Sequence, residues 1–119
     1  MDRFRPEAFL PLTPVAFEIL LALADGERHG YSILQEVERR SGSAVSLHAG
    51  TLYRALARLL EQELIDELRA SPDPGNDDER RRYYRLTPRG IAVAKAEVQR
   101  LEGQLAAARA RRLLKGARA

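Results

Sequence analysis

The segment from Val15 to Ala24 constrains the fold most, because it is apolar on nearly every side. Thr13 and Pro14 precede it as a helix start, since a threonine can accept hydrogen bonds from free helix amides and proline fits the first turn. Asp25 and Gly26 end it. A helix that is apolar all round is a buried helix, so the rest of the chain must supply elements that surround it.

Two amphipathic helices are predicted to follow. The first spans Gly30–Arg40, and Gly42 stands where a left-handed residue often ends a helix. Its apolar face consists of Tyr31, Ile33, Leu34 and Val37. The second spans about His48–Glu63, with a stripe formed by Leu52, Leu56, Leu59 and Glu63. Its opposite side presents hydrogen-bond donors and cations, namely His48, Thr51, Tyr53, Arg54 and Arg58.

A β-hairpin and a long helix are predicted for the remaining chain. Leu64–Arg69 and Arg81–Leu86 are strand candidates separated by turn-forming residues. Thr87-Pro88 repeats the helix-start signal, and the helix is expected to reach about Leu114. Along one side of this helix runs a heptad-like seam of apolar residues, namely Ile91, Ala94, Val98, Leu101 and Leu105. The seam could be intramolecular core, but its length favours dimerisation because it exceeds what a small three-helix body can cover.

Several function classes lose support from what the sequence lacks. With no cysteine, a disulfide scaffold and a thiolate metal site are excluded. His29 and His48 do not stand in a metal-ligand spacing, and no phosphate-cradling glycine loop or catalytic arrangement is recognisable. We therefore expect no enzyme, no metal and no cofactor. No apolar run suits a membrane helix and no secretory signal is visible, so a cytoplasmic protein is expected.

Charge is divided unevenly along the chain. Residues 1–79 carry 8 Lys and Arg against 15 Asp and Glu, whereas residues 80–119 carry 12 against 2. This asymmetry is typical of a protein that contacts a polyanion, although a solvated basic helix would look the same.

The element order predicts a mainly α fold with a small β-hairpin wing, a winged helix-turn-helix followed by a long C-terminal helix. The third helix would enter the major groove of double-stranded DNA, and the hairpin would bring arginines to the backbone. The predicted DNA-binding residues are His48, Thr51, Tyr53, Arg54, Arg58, Arg80, Arg81 and Arg82. Residues 1–86 are expected to form this DNA-binding domain with an N-terminal arm, and residues 87–119 a dimerisation helix with a basic tail.

Three motifs in this order resemble the PadR family of transcriptional regulators. Residues 50–59 (G-T-L-Y-R-A-L-A-R-L) resemble its recognition helix, residues 82–90 (R-Y-Y-R-L-T-P-R-G) its second wing strand and following helix start, and residues 29–33 (H-G-Y-S-I) its second-helix opening. The resemblance covers about residues 12–102 and points to the compact subgroup with one C-terminal helix. It implies a winged-helix repressor, a homodimer on a palindromic operator that is often released by a small-molecule effector.

Three positions depart from the family's pattern, and the arm of residues 1–12 matches nothing in it. Arg54 stands where the family often has proline, and His48 where a serine-like cap is common. Glu63 replaces the usual glycine, so the corner between helix and strand is expected to be strained or shifted by one residue.

The individual residues allow alternative interpretations. Tyr53 and Arg58 are expected to contact phosphates, although Tyr53 could be core edge and Arg58 a solvated residue. Thr51 and Arg54 are the candidates for base-edge contacts. Tyr83 and Tyr84 alternate along a strand, so one should face inward and the other outward. As a whole, the chain could instead be a winged-helix module that dimerises and binds another protein.

Overall fold

A computed structural model describes residues 3–42, 47–68 and 82–114 of the chain. The elements in chain order are α1 (Pro14–Leu23), β1 (Arg28–His29), α2 (Gly30–Ser41), α3 (Ala49–Glu61), β2 (Ile65–Leu68), β3 (Tyr83–Leu86) and α4 (Pro88–Ala110). A short 3₁₀ turn, Pro6–Phe9, precedes α1. The predicted fold class is confirmed: the described residues form a mostly helical body with one small antiparallel sheet. Among these helices, none combines the length and apolarity that crossing a membrane requires.

Both Thr-Pro pairs start helices as the sequence predicts. Thr13 Oγ1 accepts a hydrogen bond of 3.1 Å from the amide of Ala16 at the start of α1. Thr87 Oγ1 accepts one of 3.0 Å from the amide of Gly90 at the start of α4. Each side chain thereby satisfies one of the amides that a helix start leaves without an internal partner.

The core surrounds α1, which confirms that this helix is buried. Ile19 and Leu20 of α1 have no exposed surface. The side chains that pack in the same core from the other elements are Ile33, Val37, Leu52, Leu56, Leu59, Leu64, Ile65 and Val93. One residue predicted for the apolar face of α2 is misplaced: Tyr31 is 59% exposed. It lies two residues before Ile33, a spacing that turns about 200° around a helix.

The sheet contains a strand that the sequence reasoning missed. Its order is β1-β3-β2, with Arg28 opposite Tyr84 and Leu68 opposite Tyr83. As the central strand, β3 has both tyrosines buried, so the prediction that one of them faces outward is wrong. Tyr84 joins the core, while Tyr83 meets the ring of His29 edge-on at 5.5 Å between ring centroids. Each face of β3 is therefore covered.

The corner between α3 and β2 is strained, as the missing glycine predicts. α3 ends at Glu61, and Glu63 adopts the left-handed φ of 61° instead of extending the leucine stripe. The amides of Glu63 and Leu64 donate to the carbonyls of Leu60 and Leu59, each at 3.0 Å. This pair of backbone hydrogen bonds ends many helices, and the left-handed residue within it is usually glycine.

The N-terminal arm, residues 3–12, lies along α4 of its own chain. The Phe4 and Phe9 rings stand 5.6 Å apart, and the Arg89 guanidinium lies 4.8 Å from the centroid of the Phe4 ring. At the end of the arm, the amide of Leu12 donates a hydrogen bond of 3.0 Å to Oε2 of Glu97. The Glu97 residue is 2% exposed. The Arg100 guanidinium also donates to this carboxylate. The arm is thus anchored to α4 by rings at one end and by a buried carboxylate at the other.

Candidate nucleic-acid interface

The two sides of α3 differ as the sequence predicts. Leu52, Leu56 and Leu59 are buried. The outer side carries five polar residues, of which Thr51 is half-buried and the others are exposed: His48, Thr51, Tyr53, Arg54 and Arg58. His48 precedes the first turn and makes no side-chain cap, so its ring is not held by the helix amides. Fixing the leucines in the core therefore orients the outer side chains away from the body.

The cations of α3 are available for a ligand. The Arg54 guanidinium approaches Thr51 Oγ1 at 3.5 Å, which is the outer limit for a hydrogen bond. Among the residues that the structure describes, neither Arg54 nor Arg58 forms an ion pair with a carboxylate. A guanidinium that has no carboxylate partner keeps its full charge and its fork of donors for phosphates or base edges.

Unlike the arginines of α3, the described arginines of the wing form ion pairs with carboxylates. Arg82 is exposed, but its Nη1 lies 3.1 Å from Oε1 of Glu67 on the neighbouring strand. Nε of Arg85 lies 3.6 Å from Oδ2 of Asp66. Both pairs are at the surface, where ion pairs are weak and readily exchanged. The other two predicted wing residues, Arg80 and Arg81, lie outside the described residues.

Tyr53 combines the two roles that the sequence left open. Its side chain is 52% exposed, yet its ring rests on the start of α2. A Cβ built on Gly30 would lie 2.8 Å from the Tyr53 hydroxyl oxygen and 3.2 Å from the carbon that bears it. Because Gly30 has no side chain, the hydroxyl end of the Tyr53 ring can pack against the start of α2 while about half of the residue stays exposed. Tyr31, which follows Gly30 in the sequence, is also exposed. The sequence analysis assigned it to the apolar face of α2 and so missed it as a candidate for DNA contact.

A second surface lies on α4. Ile91, Val98 and Leu105 of the predicted seam are 43%, 42% and 39% exposed, and Ala94 and Leu101 are half-buried. Beside them runs a groove of about 820 Å³ between α4, the end of α1 and β3. Its apolar lining includes Leu21, Leu86, Ile91, Ala94 and Val98. The seam is therefore not consumed by the chain's own core.

The polar side chains do not assemble a metal centre in the part of the chain that the structure describes: it holds no group of three or more histidine or acidic side chains suited to a metal ion. The surface that the fold does assemble is an exposed row of donors and cations on a helix backed by leucines. Such a row fits the width of a DNA major groove.

Comparison with known proteins gives a consistent result. The family described as "Transcriptional regulator PadR-like family" matches residues 19–96. Uncharacterized protein X of Lysinibacillus sphaericus is 32% identical over 74 residues, which cover 62% of this chain and 65% of that protein. This chain therefore spans just under two thirds of that relative.

Two solved structures show the same fold. The crystal structure of a PadR family transcription regulator from Clostridium difficile is 25% identical, with a TM-score of 0.69, and the match covers 81% of this chain and 95% of that one. BpsR of Bordetella bronchiseptica is also 25% identical, with a TM-score of 0.58, covering 77% of this chain and 61% of that one. The BpsR structure was determined to explain how 6-hydroxynicotinic acid regulates the DNA binding of that protein.

Proposed function

Since the chain belongs to the PadR-like family of transcriptional regulators, we propose that it is a sequence-specific regulator that binds double-stranded DNA through the outer side of α3. The observation that carries this proposal is that Arg54 and Arg58 form no ion pair within the described ranges and stand on an exposed helix face backed by buried leucines. Exposed cations that no carboxylate neutralises attract a polyanion, because each phosphate contact releases counterions.

The residues divide into two roles. Thr51 and Arg54 contact base edges, since arginine binds the major-groove edge of guanine through two donors and threonine can contact several bases. Tyr53, Arg58 and His48 contact phosphates, which fixes the position of the helix in the groove. Arg82, with Arg80 and Arg81, contacts the backbone beside the wing. For Arg82 this requires exchange of the Glu67 carboxylate for a phosphate.

The proposed functional unit is a homodimer that pairs through the α4 seam, Ile91, Ala94, Val98, Leu101 and Leu105. Residues 1–86 supply the DNA-binding part and residues 87–119 the dimerisation part. A two-fold dimer binds an operator with two-fold symmetry, its half-sites about one helical turn, ~34 Å, apart. Occupying such a site represses transcription by excluding polymerase.

A small molecule that binds between protomers would regulate this dimer. The proposal is supported by the apolar groove beside α4 and by the regulation of DNA binding described for BpsR. A ligand that binds one dimer geometry more tightly than another changes the spacing of the two α3 helices and so the DNA affinity.

A gel shift with the DNA upstream of the chain's own coding sequence, at two salt concentrations, tests the function. The wild type should form a specific complex. Arg58→Ala should weaken it and lower the slope of log K against log salt by about one. Arg5→Ala, which removes an exposed arginine from the arm, is the matched control and should leave the slope unchanged.

A chain that dimerises but forms no specific DNA complex would overturn the proposal and favour the protein-interaction module instead. An unchanged slope in Arg58→Ala, with specific binding intact, would overturn the placement of Arg58 on a phosphate.

A further inference from the structure

An acidic side chain, Glu67 of β2, lies beside a cation of the proposed DNA interface. Glu67 stands directly opposite Tyr84 on β3, so these two side chains share one face of the sheet. Arg82 precedes Tyr84 by two residues and therefore shares that face as well. Its Nη1 lies 3.1 Å from Oε1 of Glu67. A carboxylate thus holds a guanidinium that the proposed function assigns to DNA phosphates.

This face of the sheet is the one that packs against the helices. Tyr84 joins the core to which α3 contributes its leucines. Burial raises the pKa of the Tyr84 hydroxyl, and the nearby Glu67 carboxylate and Tyr53 hydroxyl raise it further. Glu67 therefore lies on the side of the wing that faces α3, near a residue proposed to contact phosphate.

The two members of the pair differ in their freedom to change partners. The Arg82 side chain is 72% exposed, whereas the Glu67 side chain is 29% exposed. A long and exposed guanidinium side chain can turn from one partner to another, while the shorter and more covered carboxylate stays on its strand. Since ion pairs at the surface are weak and readily exchanged, a phosphate and Glu67 compete for Arg82.

A second ion pair of the wing provides an internal comparison. Asp66 stands opposite Arg85, and its Oδ2 lies 3.6 Å from Nε of that arginine. Because successive residues of a strand point to opposite faces, this pair lies on the other face of the sheet from Glu67. Adjacent residues of β2 thus carry two carboxylate–arginine pairs, of which only the Glu67 pair is on the side of α3.

We propose that Glu67 is a specificity-determining residue, whose carboxylate competes with DNA phosphates for Arg82 and so suppresses sequence-independent binding. The inference rests on the proposed function, in which Arg82 contacts the DNA backbone. Sequence-independent binding depends almost entirely on phosphate contacts. While Arg82 remains on Glu67, such a complex lacks one of these contacts.

A specific complex is less affected by this competition. Its base-edge contacts come from α3 and do not involve the wing. They hold α3 in one register, which keeps a phosphate beside Arg82 and favours exchange of Glu67 for that phosphate. In a sequence-independent complex the register varies, and Glu67 keeps the cation. Glu67 therefore lowers the affinity for random DNA more than the affinity for the operator.

Replacement of the carboxylate by its amide tests the competition. In Glu67→Gln, the released Arg82 gains one phosphate contact on a duplex of random sequence. The slope of log K against log salt should become steeper by about one, and the affinity at about 0.1 M salt should rise about tenfold. The affinity for the DNA that forms the specific complex should rise less, so the ratio of the two affinities should fall. Fluorescence anisotropy on both duplexes measures these values.

Asp66→Asn is the matched control, because it removes a carboxylate and an arginine pair from the neighbouring residue of the same strand. It makes the same change in net charge and should leave the slope unchanged. If the slope steepens equally in Asp66→Asn, net charge is the cause and the proposal fails. Thermal unfolding verifies that both variants keep the fold.

Arg82→Ala in two backgrounds tests whether Arg82 and Glu67 act together. The substitution should cost little affinity for random DNA in the wild type, where Glu67 occupies the guanidinium. In Glu67→Gln it should cost about tenfold and lower the slope by about one. Equal losses in both backgrounds would show that the two residues act independently and would overturn the competition.

The outcomes separate this inference from the proposed function. An unchanged slope in Glu67→Gln, in a protein that still forms a specific complex, overturns the inference alone. Equal gains on random DNA and on the operator overturn the role of Glu67 in specificity. A steeper slope in a protein that selects no DNA sequence supports the competition for Arg82 and overturns the proposed function together with that role.

Discussion

Gly90 and Leu64 approach so closely that a Cβ on Gly90 would lie 2.0 Å from the Leu64 carbonyl oxygen. That oxygen also accepts a hydrogen bond of 3.1 Å from the amide of Thr87. The Thr87 hydroxyl donates a hydrogen bond of 2.7 Å to the carbonyl oxygen of Glu63. The start of α4 is therefore fixed directly to the corner at which α3 ends. The helix that carries the proposed dimer seam and the helix proposed to bind DNA are joined at this corner.

Gly90→Ala should destabilise the fold, because the contact is with backbone that cannot swing away. Overpacking of this kind costs about 1–3 kcal/mol. Urea unfolding monitored by circular dichroism gives the free energy of unfolding. Gly103→Ala is the matched control: this helix glycine has open space around it, so alanine there should stabilise α4 by up to about 1 kcal/mol. Equal effects of the two substitutions on the free energy of unfolding would contradict the close contact between Gly90 and the Leu64 carbonyl.

Glu63→Gly should stabilise the fold, because a glycine adopts the left-handed φ of 61° without steric cost. The expected gain is about 1 kcal/mol in the free energy of unfolding, because relief of a strain of about 1–3 kcal/mol is partly offset by the greater entropy that glycine gives the unfolded chain. Glu63→Ala removes the carboxylate, and with it the exposed 3.5 Å pair with Arg89, but keeps the strain. It should show no gain. If alanine stabilises as much as glycine, charge rather than backbone conformation is the cause.

Tyr53→Phe should weaken DNA binding about fivefold, the value of one lost hydrogen bond of ~1 kcal/mol. Thermal stability should change little, because Tyr53 is 52% exposed and the phenylalanine keeps the ring. Gly30→Ala should also weaken binding, since its methyl group displaces the phenol. Fluorescence anisotropy measures both. If the two substitutions act on the same hydroxyl, the double variant should bind no more weakly than Gly30→Ala alone, whereas additive losses would contradict this coupling.

Glu97→Gln should loosen the arm at neutral pH. Hydrogen bonds from Arg100 and from the amide of Leu12 lower the pKa of Glu97 below its usual 4.5, although burial opposes them. A lowered pKa contributes stability that is present above the unfolded-state pKa and is lost as the pH falls through the folded-state value. At neutral pH the substitution should cost about 1–2 kcal/mol in the free energy of unfolding.

The same reasoning predicts that this difference shrinks as the pH falls below about 4.5 towards the lowered folded-state pKa, because the unfolded chain takes up a proton at Glu97 before the folded protein does. Urea unfolding at neutral pH and at about pH 3 checks the change. Glu38→Gln, at an exposed glutamate of α2, is the control for the loss of one carboxylate. A difference that persists unchanged at low pH would show that the charge of Glu97 does not hold the arm.

Sequence reasoning succeeded where the cause is local. The two Thr-Pro caps, the buried helix α1 and the two-sided helix α3 depend on residues within a few positions of each other, so their pattern is visible in the chain. The strain at Glu63 follows in the same way from one residue at a helix end.

It failed where partners come from distant parts of the chain. The burial of Tyr83 depends on β1, a strand of two residues that is too short to show a period and exists because it pairs with β3. The exposure of Tyr31 could have been predicted from its two-residue spacing to Ile33, but the contact between Tyr53 and Gly30 could not. The buried carboxylate of Glu97 has a partner 85 residues away in Leu12.

The sequence by itself therefore determined the helices, their caps and the side of α3 that carries cations, since helix periodicity and capping act over one or two turns. Only the tertiary structure decided which cations are free. Arg54 and Arg58 lie on an exposed helix face and form no ion pair among the described residues, whereas Arg82 forms one with Glu67 of the neighbouring strand. Coulomb attraction depends on distance in space, and that distance is set by packing rather than by position along the chain.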